Sequence, residues 1–144
     1  MATIDLIISG QAIPQIYRLD SDVAPEELAA SLQEQNGELF YLDGAEMTDK
    51  NQLMQEFAAV LNFPDYFGGN WDALRDCLGD VVWLDEDATH CVLLFDHWEK
   101  CTSPTLIETL QDAVAGWTEA ADAVYVLIRT RNSDEYVQKL PTVS

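Results

Sequence analysis

Apolar residues recur along the chain with two different periods. Spacings of three and four mark helices, and short alternating or unbroken runs mark strands. Leu28, Ala29 and Leu32 keep helical spacing behind Pro25-Glu26-Glu27, a first turn of proline and acids, and Gly37 ends that helix. Leu53, Met54, Phe57, Ala58, Val60 and Leu61 predict a helix over 49–62, capped by Thr48-Asp49. Leu106, Ile107, Leu110, Val114 and Trp117 predict another, opened by Ser103-Pro104. Ile4–Ser9, Gln15–Leu19, Leu39–Leu42, Cys91–Phe95 and Ala123–Ile128 read as strands, with turns at Gly10–Pro14 and Asp43-Gly44. Cys91–Phe95 is apolar without a break, as an interior parallel strand is. Strands separated by helices imply right-handed crossovers and a parallel sheet. The expected fold is therefore α/β: a three-stranded parallel sheet packed by helices over residues 39–130. Residues 1–38 are expected to form an N-terminal extension, a hairpin on a sheet edge with a covering helix, and residues 131–144 a polar tail with a terminal turn.

One stretch departs from plain core patterning: Phe63–Asp80, FPDYFGGNWDALRDCLGD. Pro64 cannot continue the helix before it, and Gly68-Gly69 permits backbone angles that other residues avoid. Asn70 is a good N-cap for a helix over 71–78, and Gly79 is its expected stop. At about 100° per residue, Trp71, Ala73, Leu74, Cys77 and Leu78 gather on one side and Asp72, Arg75, Asp76 and Gly79 on the other. Asp72 and Asp76, four apart, are neighbours on the outward face, a pairing that costs a few tenths of a kcal/mol in an isolated helix. The positive N-terminal end of the helix helps Asp72 more than Asp76. Tyr66 and Phe67 are expected to be wet aromatics beside this face. Acids on a rigid helix next to rings on a glycine-shaped loop form a candidate binding surface. After Gly79, a segment to His90 carries four acids and the apolar run Val81-Val82-Trp83-Leu84, read as a short strand or apolar anchor.

Charge sharpens this picture. The chain has 26 acidic residues against 7 basic ones among 144, a net charge of −19. Such a field repels nucleic acid and anionic membranes and draws cationic partners inward. The length suits one domain with a real core. Cys77, Cys91 and Cys101 are an odd number without zinc-site spacing; Cys77 and Cys91 fall in apolar patterns, as reduced, buried thiols do. No secretory leader pattern is read at the N-terminus, and the apolar runs are too short to span a bilayer. The expectation is a cytoplasmic protein that engages neither membrane nor nucleic acid directly.

The run Pro64-Asp65-Tyr66-Phe67-Gly68, then Asn70, Asp72-Ala73-Leu74 and Asp76-Cys77-Leu78, resembles the signature of the barstar family, intracellular protein inhibitors of secreted barnase-type ribonucleases. The resemblance is close over 63–78 and follows the order of elements over roughly 39–130. It implies a barstar-like fold, no catalysis, no cofactor, and a partner that is a basic secreted-type ribonuclease. It also implies that an acidic helix enters the nuclease active site, its carboxylates taking the place of substrate phosphates. Asp76 matches the family's principal phosphate-mimicking acid and Asp72 the second acid of that face. Tyr66 matches the loop aromatic, Phe67 a second aromatic without its hydroxyl, and Asn70 the polar residue before the helix. Glu119 aligns with a further acid on the last helix. Arg75 stands where the founding inhibitor has tryptophan and is placed to pair with Asp72. Asp80, in the longer acidic segment, and Trp83 are placed to replace or add contacts.

Other readings of the residues are weaker. A barstar-fold module for a non-nuclease partner is the alternative that Arg75 and the N-terminal region favour. Asp96, His97 and His90 near one strand, with Glu99 and Cys101 after it, offer an acid, a base and a thiol. No phosphate loop, nucleophile elbow or paired-histidine motif accompanies them. Asp85-Glu86-Asp87 and Asp43-Gly44 lack the alternating acids and distal Glu of a calcium loop, so no metal is expected.

Overall fold

The computed structural model describes residues 3–64, 67–80, 86–101, 103–120, 123–131 and 135–144. In chain order they form α1 (Ile4–Ile8), β1 (Ile16–Leu19), α2 (Pro25–Glu34), β2 (Gly37–Asp43), α3 (Lys50–Leu61), α4 (Trp71–Asp80), β3 (His90–Asp96), α5 (Pro104–Ala120), β4 (Val124–Ile128), α6 (Glu135–Gln138) and β5 (Thr142–Val143). Short 3-10 turns, Gly44–Glu46 and Trp98–Lys100, follow β2 and β3.

The sheet is parallel and α/β, but it has five strands among the described residues rather than three, in the order β2-β3-β4-β1-β5. β1 is no edge hairpin. It lies between β4 and β5 and runs parallel to both, with Ile16 opposite Val126 and Leu19 opposite Val143. The reason is two-sided burial: Ile16 faces one core while Tyr17 and Leu19 face the other. Residues 131–144 likewise exceed a polar tail, because α6 buries Val137 and β5 buries Val143. Two residues of strand are too short to carry a periodic signal.

Residues 4–8 form a helix, not the expected strand. β-branched residues suggested a strand, but Ile4, Ile7 and Ile8 also fit one helical face, and all three pack into a single apolar cluster. The Ile4 amide donates to the Ser144 carbonyl at 3.1 Å, which joins the two ends of the chain. Buried His90 donates from Nε2 to the Ile8 carbonyl at 2.6 Å and accepts at Nδ1 from the Thr89 hydroxyl at 2.8 Å. Gly10, at φ +76°, makes room for that imidazole: a Cβ there would lie 2.9 Å from the ring.

The two faces of the sheet carry separate cores. α3, α4, α5 and α6 cover the side of Phe40, Leu42, Leu93, Phe95, Val126 and Ile128. α1 and α2 cover the side of Val92, Leu94, Tyr125 and Leu127. β3 is buried from His90 to Phe95, as its unbroken apolar run predicts.

Candidate functional site

α4 is positioned by the residues before it. Asn62, at φ +53°, closes α3, and its amide donates to the Ala58 carbonyl. Gly69 takes φ +69°, a conformation glycine adopts without penalty. Asn70 then caps α4 as expected, its side-chain oxygen accepting from the Ala73 amide at 2.8 Å. The helix runs to Asp80, two residues beyond the expected 78. Gly79 is exposed and fits within the helix, so it does not stop it.

Leu74, Cys77 and Leu78 are buried, and half-buried Trp71 packs against the same core. At the C-terminal end, the buried Trp117 indole of α5 donates from Nε1 to the Leu78 carbonyl at 2.9 Å. This contact satisfies a carbonyl that the helix cannot satisfy itself and docks α4 on α5. Burial, reinforced by the charges of Asp80 and Asp76, pushes the Cys77 thiol pKa up.

The polar face is outward. Asp72, Arg75, Asp76, Gly79 and Asp80 are all exposed, the Asp72 side chain to 91%. Arg75 does reach Asp72, at 3.6 Å, but its shorter contact is to Asp112 of α5, at 3.0 Å from Nε. Asp112 is absent from the expected site because nothing in its local sequence pairs it with Arg75; only the docking of α5 does. Asp76 and Asp80 make no hydrogen bond or ion pair among the described residues. Glu119 is exposed on α5, seven residues and so about two turns beyond Asp112, on the same edge of that helix. Phe67 is half-buried and not a wet aromatic: its ring packs at 4.9 Å on Phe63 and against the core. Tyr66, Trp83 and the Val81–Leu84 run lie outside the described residues.

Of the enzyme-like grouping, Asp96, His97 and Glu99 line one cavity and His90 stands apart. His90 and Asp96 lie at opposite ends of the seven-residue β3, about 20 Å apart along a strand. The Asp96 carboxylate accepts from Arg129 Nε and Nη2 at 3.2 and 3.0 Å, from the Tyr41 hydroxyl at 2.9 Å and from the His97 amide at 3.0 Å. Burial alone would raise its pKa, but the hydrogen bonds from Arg129 and Tyr41, the Arg129 charge and the His97 amide outweigh it and hold the carboxyl below the usual carboxylate range. The Tyr41 phenol is pushed up in turn, by burial first and then by Asp96. The His97 ring donates from Nδ1 to Asp43 at 2.7 Å, so its partner is Asp43 and not Asp96. The Cys101 thiol is buried, contacts the Trp98 carbonyl at 3.7 Å and is pushed up to about 12 by burial and by Glu99 and Asp43. It stays protonated near neutral pH and is no nucleophile. Among the described residues, no group of His, Cys, Asp and Glu is placed to hold a metal, and no helix is long and apolar enough to cross a membrane.

The fold is thus a parallel α/β sheet that carries one capped helix, apolar inward and acidic outward. The family model described as Barstar (barnase inhibitor) matches residues 37–134, and the chain belongs to that family. No curated protein matches the chain.

Proposed function

We propose that the protein inhibits a barnase-type ribonuclease by placing the acidic face of α4 in the enzyme's basic active site. The observation that carries this reading is Asp76, an exposed acid without an ion-pair partner among the described residues, on a helix fixed at both ends. A rigid, unpaired carboxylate loses little entropy when it meets a catalytic Arg, Lys or His, and no internal bond has to break first. Asp72, Asp80 and Glu119 extend the negative surface, and Asn70 holds the helix start. The resemblance adds Tyr66 as an aromatic contact of the partner, and Phe67, packed on Phe63, supports the approach to α4. The net charge of −19 steers a basic nuclease inward, and buried ion pairs then slow its departure. The protein itself needs no cofactor and performs no turnover. Three buried cysteines, none of them in a disulfide, suit a reducing cytoplasm, where the nuclease would otherwise attack the cell's RNA.

Arg75 supports a second reading. Held by Asp112 and Asp72, it places a fixed cation within the acidic face. A partner with an acid opposite Arg75, whether or not it is a nuclease, would match this pattern better than a uniformly basic cleft.

The test is titration of the protein into a barnase-type microbial ribonuclease, with RNA cleavage followed at low and physiological salt. Stoichiometric inhibition that weakens with salt and with Asp76→Ala is the expected result. Equal loss from Asp76→Ala and Asp87→Ala would remove α4 as the contact surface. Capture of a basic protein without nuclease activity, with no inhibition in the assay, would select the second reading.

A further inference from the structure

At the carboxyl ends of the strands, the connections after β4 and β1 part. α2 leaves β1 for the core of Tyr17 and Leu19, whereas α6 leaves β4 for the opposite core. β4 and β1 are neighbours, so their outgoing loops diverge and leave a crevice, the place where open parallel sheets bind ligands. A cavity of about 400 Å³ lies there, lined by Asp22, Asp96, His97, Glu99, Arg129 and Arg131 together with Thr130. A second of about 470 Å³ shares His97, Glu99 and Arg131 and adds Lys100 and Ala45. Both fall in the range of about 300–1,000 Å³ typical of small-molecule sites.

The crevice is built at some cost. His97 sits at φ +52°, ψ +42°, a left-handed conformation unfavourable for a residue with a side chain. Gly44 lets the two 3-10 turns touch: a Cβ there would stand 2.3 Å from the His97 carbonyl oxygen. The Asp43 bond fixes the His97 ring by Nδ1, and Nε2 has no hydrogen bond among the described residues. Arg129, by contrast, already makes four hydrogen bonds. Two of its nitrogens hold Asp96, and Nη1 donates to the Ser21 and Val23 carbonyls at 3.2 and 2.8 Å, tying the β1 and β4 loops across the crevice.

The groups left for a ligand are distinct in sign. Lys100 and Arg131 have no ion-pair partner among the described residues and lie with His97 around one cavity. The chain has only 7 basic residues, so the gathering of Lys100, Arg129 and Arg131 at these two cavities runs against its overall charge. Asp22 and Glu99 supply carboxylate acceptors beside them. Among the described residues, Ala45 is the one apolar residue in either lining, and every other lining side chain carries a polar or charged group. We infer that the crevice at the carboxyl ends of β4 and β1 is a second binding site, for a small sugar phosphate: the phosphate on Arg131 and Lys100, the hydroxyls on Asp22, Glu99 and the His97 Nε2 acceptor.

The test is an NMR titration of the ¹⁵N-labelled full chain with ribose 5-phosphate, run beside inorganic phosphate and ribose alone. Saturable shifts confined to Asp22, Ala45, His97–Lys100 and Arg129–Arg131 are expected, with ribose 5-phosphate binding more tightly than either part. Arg131→Ala, at an exposed position that folding does not need, should weaken binding about tenfold or more while leaving the far-ultraviolet circular dichroism unchanged. The inference is overturned by the absence of saturable shifts at millimolar ribose 5-phosphate. Shifts of equal size at the exposed Lys50 and Lys139, or undiminished affinity in Arg131→Ala, overturn it equally.

Discussion

The outward face of α4 and the cluster at the end of β3 are both rich in carboxylates, yet they treat charge in opposite ways. At the end of β3, Asp96 and Arg129 have side chains only 15% and 18% exposed, and each makes four hydrogen bonds. On α4, Asp72 is almost wholly exposed and Asp76 has no partner among the described residues. A half-buried charge must be paired because its desolvation would otherwise unfold the site. An exposed one costs little and stays available to a partner. Structural charge and recognition charge are thus told apart by what each carboxylate already touches.

The sharpest way to break this contrast is Asp96→Asn. It keeps the shape and removes the charge opposite half-buried Arg129, and should lower unfolding free energy by about 3–5 kcal/mol, measured by urea denaturation. Its pH dependence follows from the direction of the shift. Asp96 binds a proton less readily folded than unfolded, so its contribution is complete above the unfolded pKa of about 3.9. It drains away as pH falls from there through the lower folded value. The wild type should therefore lose stability in that acid range more steeply than Asp96→Asn. Parallel denaturation midpoints against pH would refute the pairing.

Asp76→Ala should do the converse. We expect stability unchanged and affinity for a barnase-type nuclease lowered by about thirtyfold or more, the effect of losing a binding hot spot. A shifted unfolding midpoint would mean that Asp76 is structural after all. Gly44→Ala tests the packing beneath the cluster. Its Cβ would press on the His97 carbonyl at 2.3 Å and the Cys101 sulfur at 2.9 Å, for a loss of about 1–3 kcal/mol in thermal or urea unfolding. The smallest change is expected from Arg75→Ala. It frees Asp72 and Asp112 from exposed ion pairs, so stability should barely move while affinity for a basic nuclease rises a few-fold in an inhibition titration. A fall in affinity would instead place Arg75 against an acid of the partner.

Much of α4 could be read from the chain because its determinants are local. The Asn70 cap, the inward Leu74, Cys77 and Leu78 and the outward Asp72 and Asp76 all follow from helical spacing within ten residues. Arg75 marks where local reading stops: its short contact comes from Asp112, 37 positions away on another helix. Phe67 is a similar case, since an aromatic next to a glycine turn gives no sign of whether it will lie on Phe63 or on a partner. Residues 4–8 misled because isoleucines serve a buried helix face and a strand equally well. β5 could not be seen at all, because its two residues become a strand only when β1 offers an edge.

The sequence by itself determined the α/β class, the interior character of β3, the capped acidic helix and the excess of negative charge. Each depends on periodicity or composition, which act over a few residues or over the whole chain without regard to contacts. Only the tertiary structure decided the rest. It placed β1 between β4 and β5, gave Arg75 to Asp112 and His97 to Asp43, and brought three of seven basic residues to one crevice. Those outcomes depend on which distant surfaces meet, and a pairing between remote residues leaves no periodic mark on either of the segments it joins.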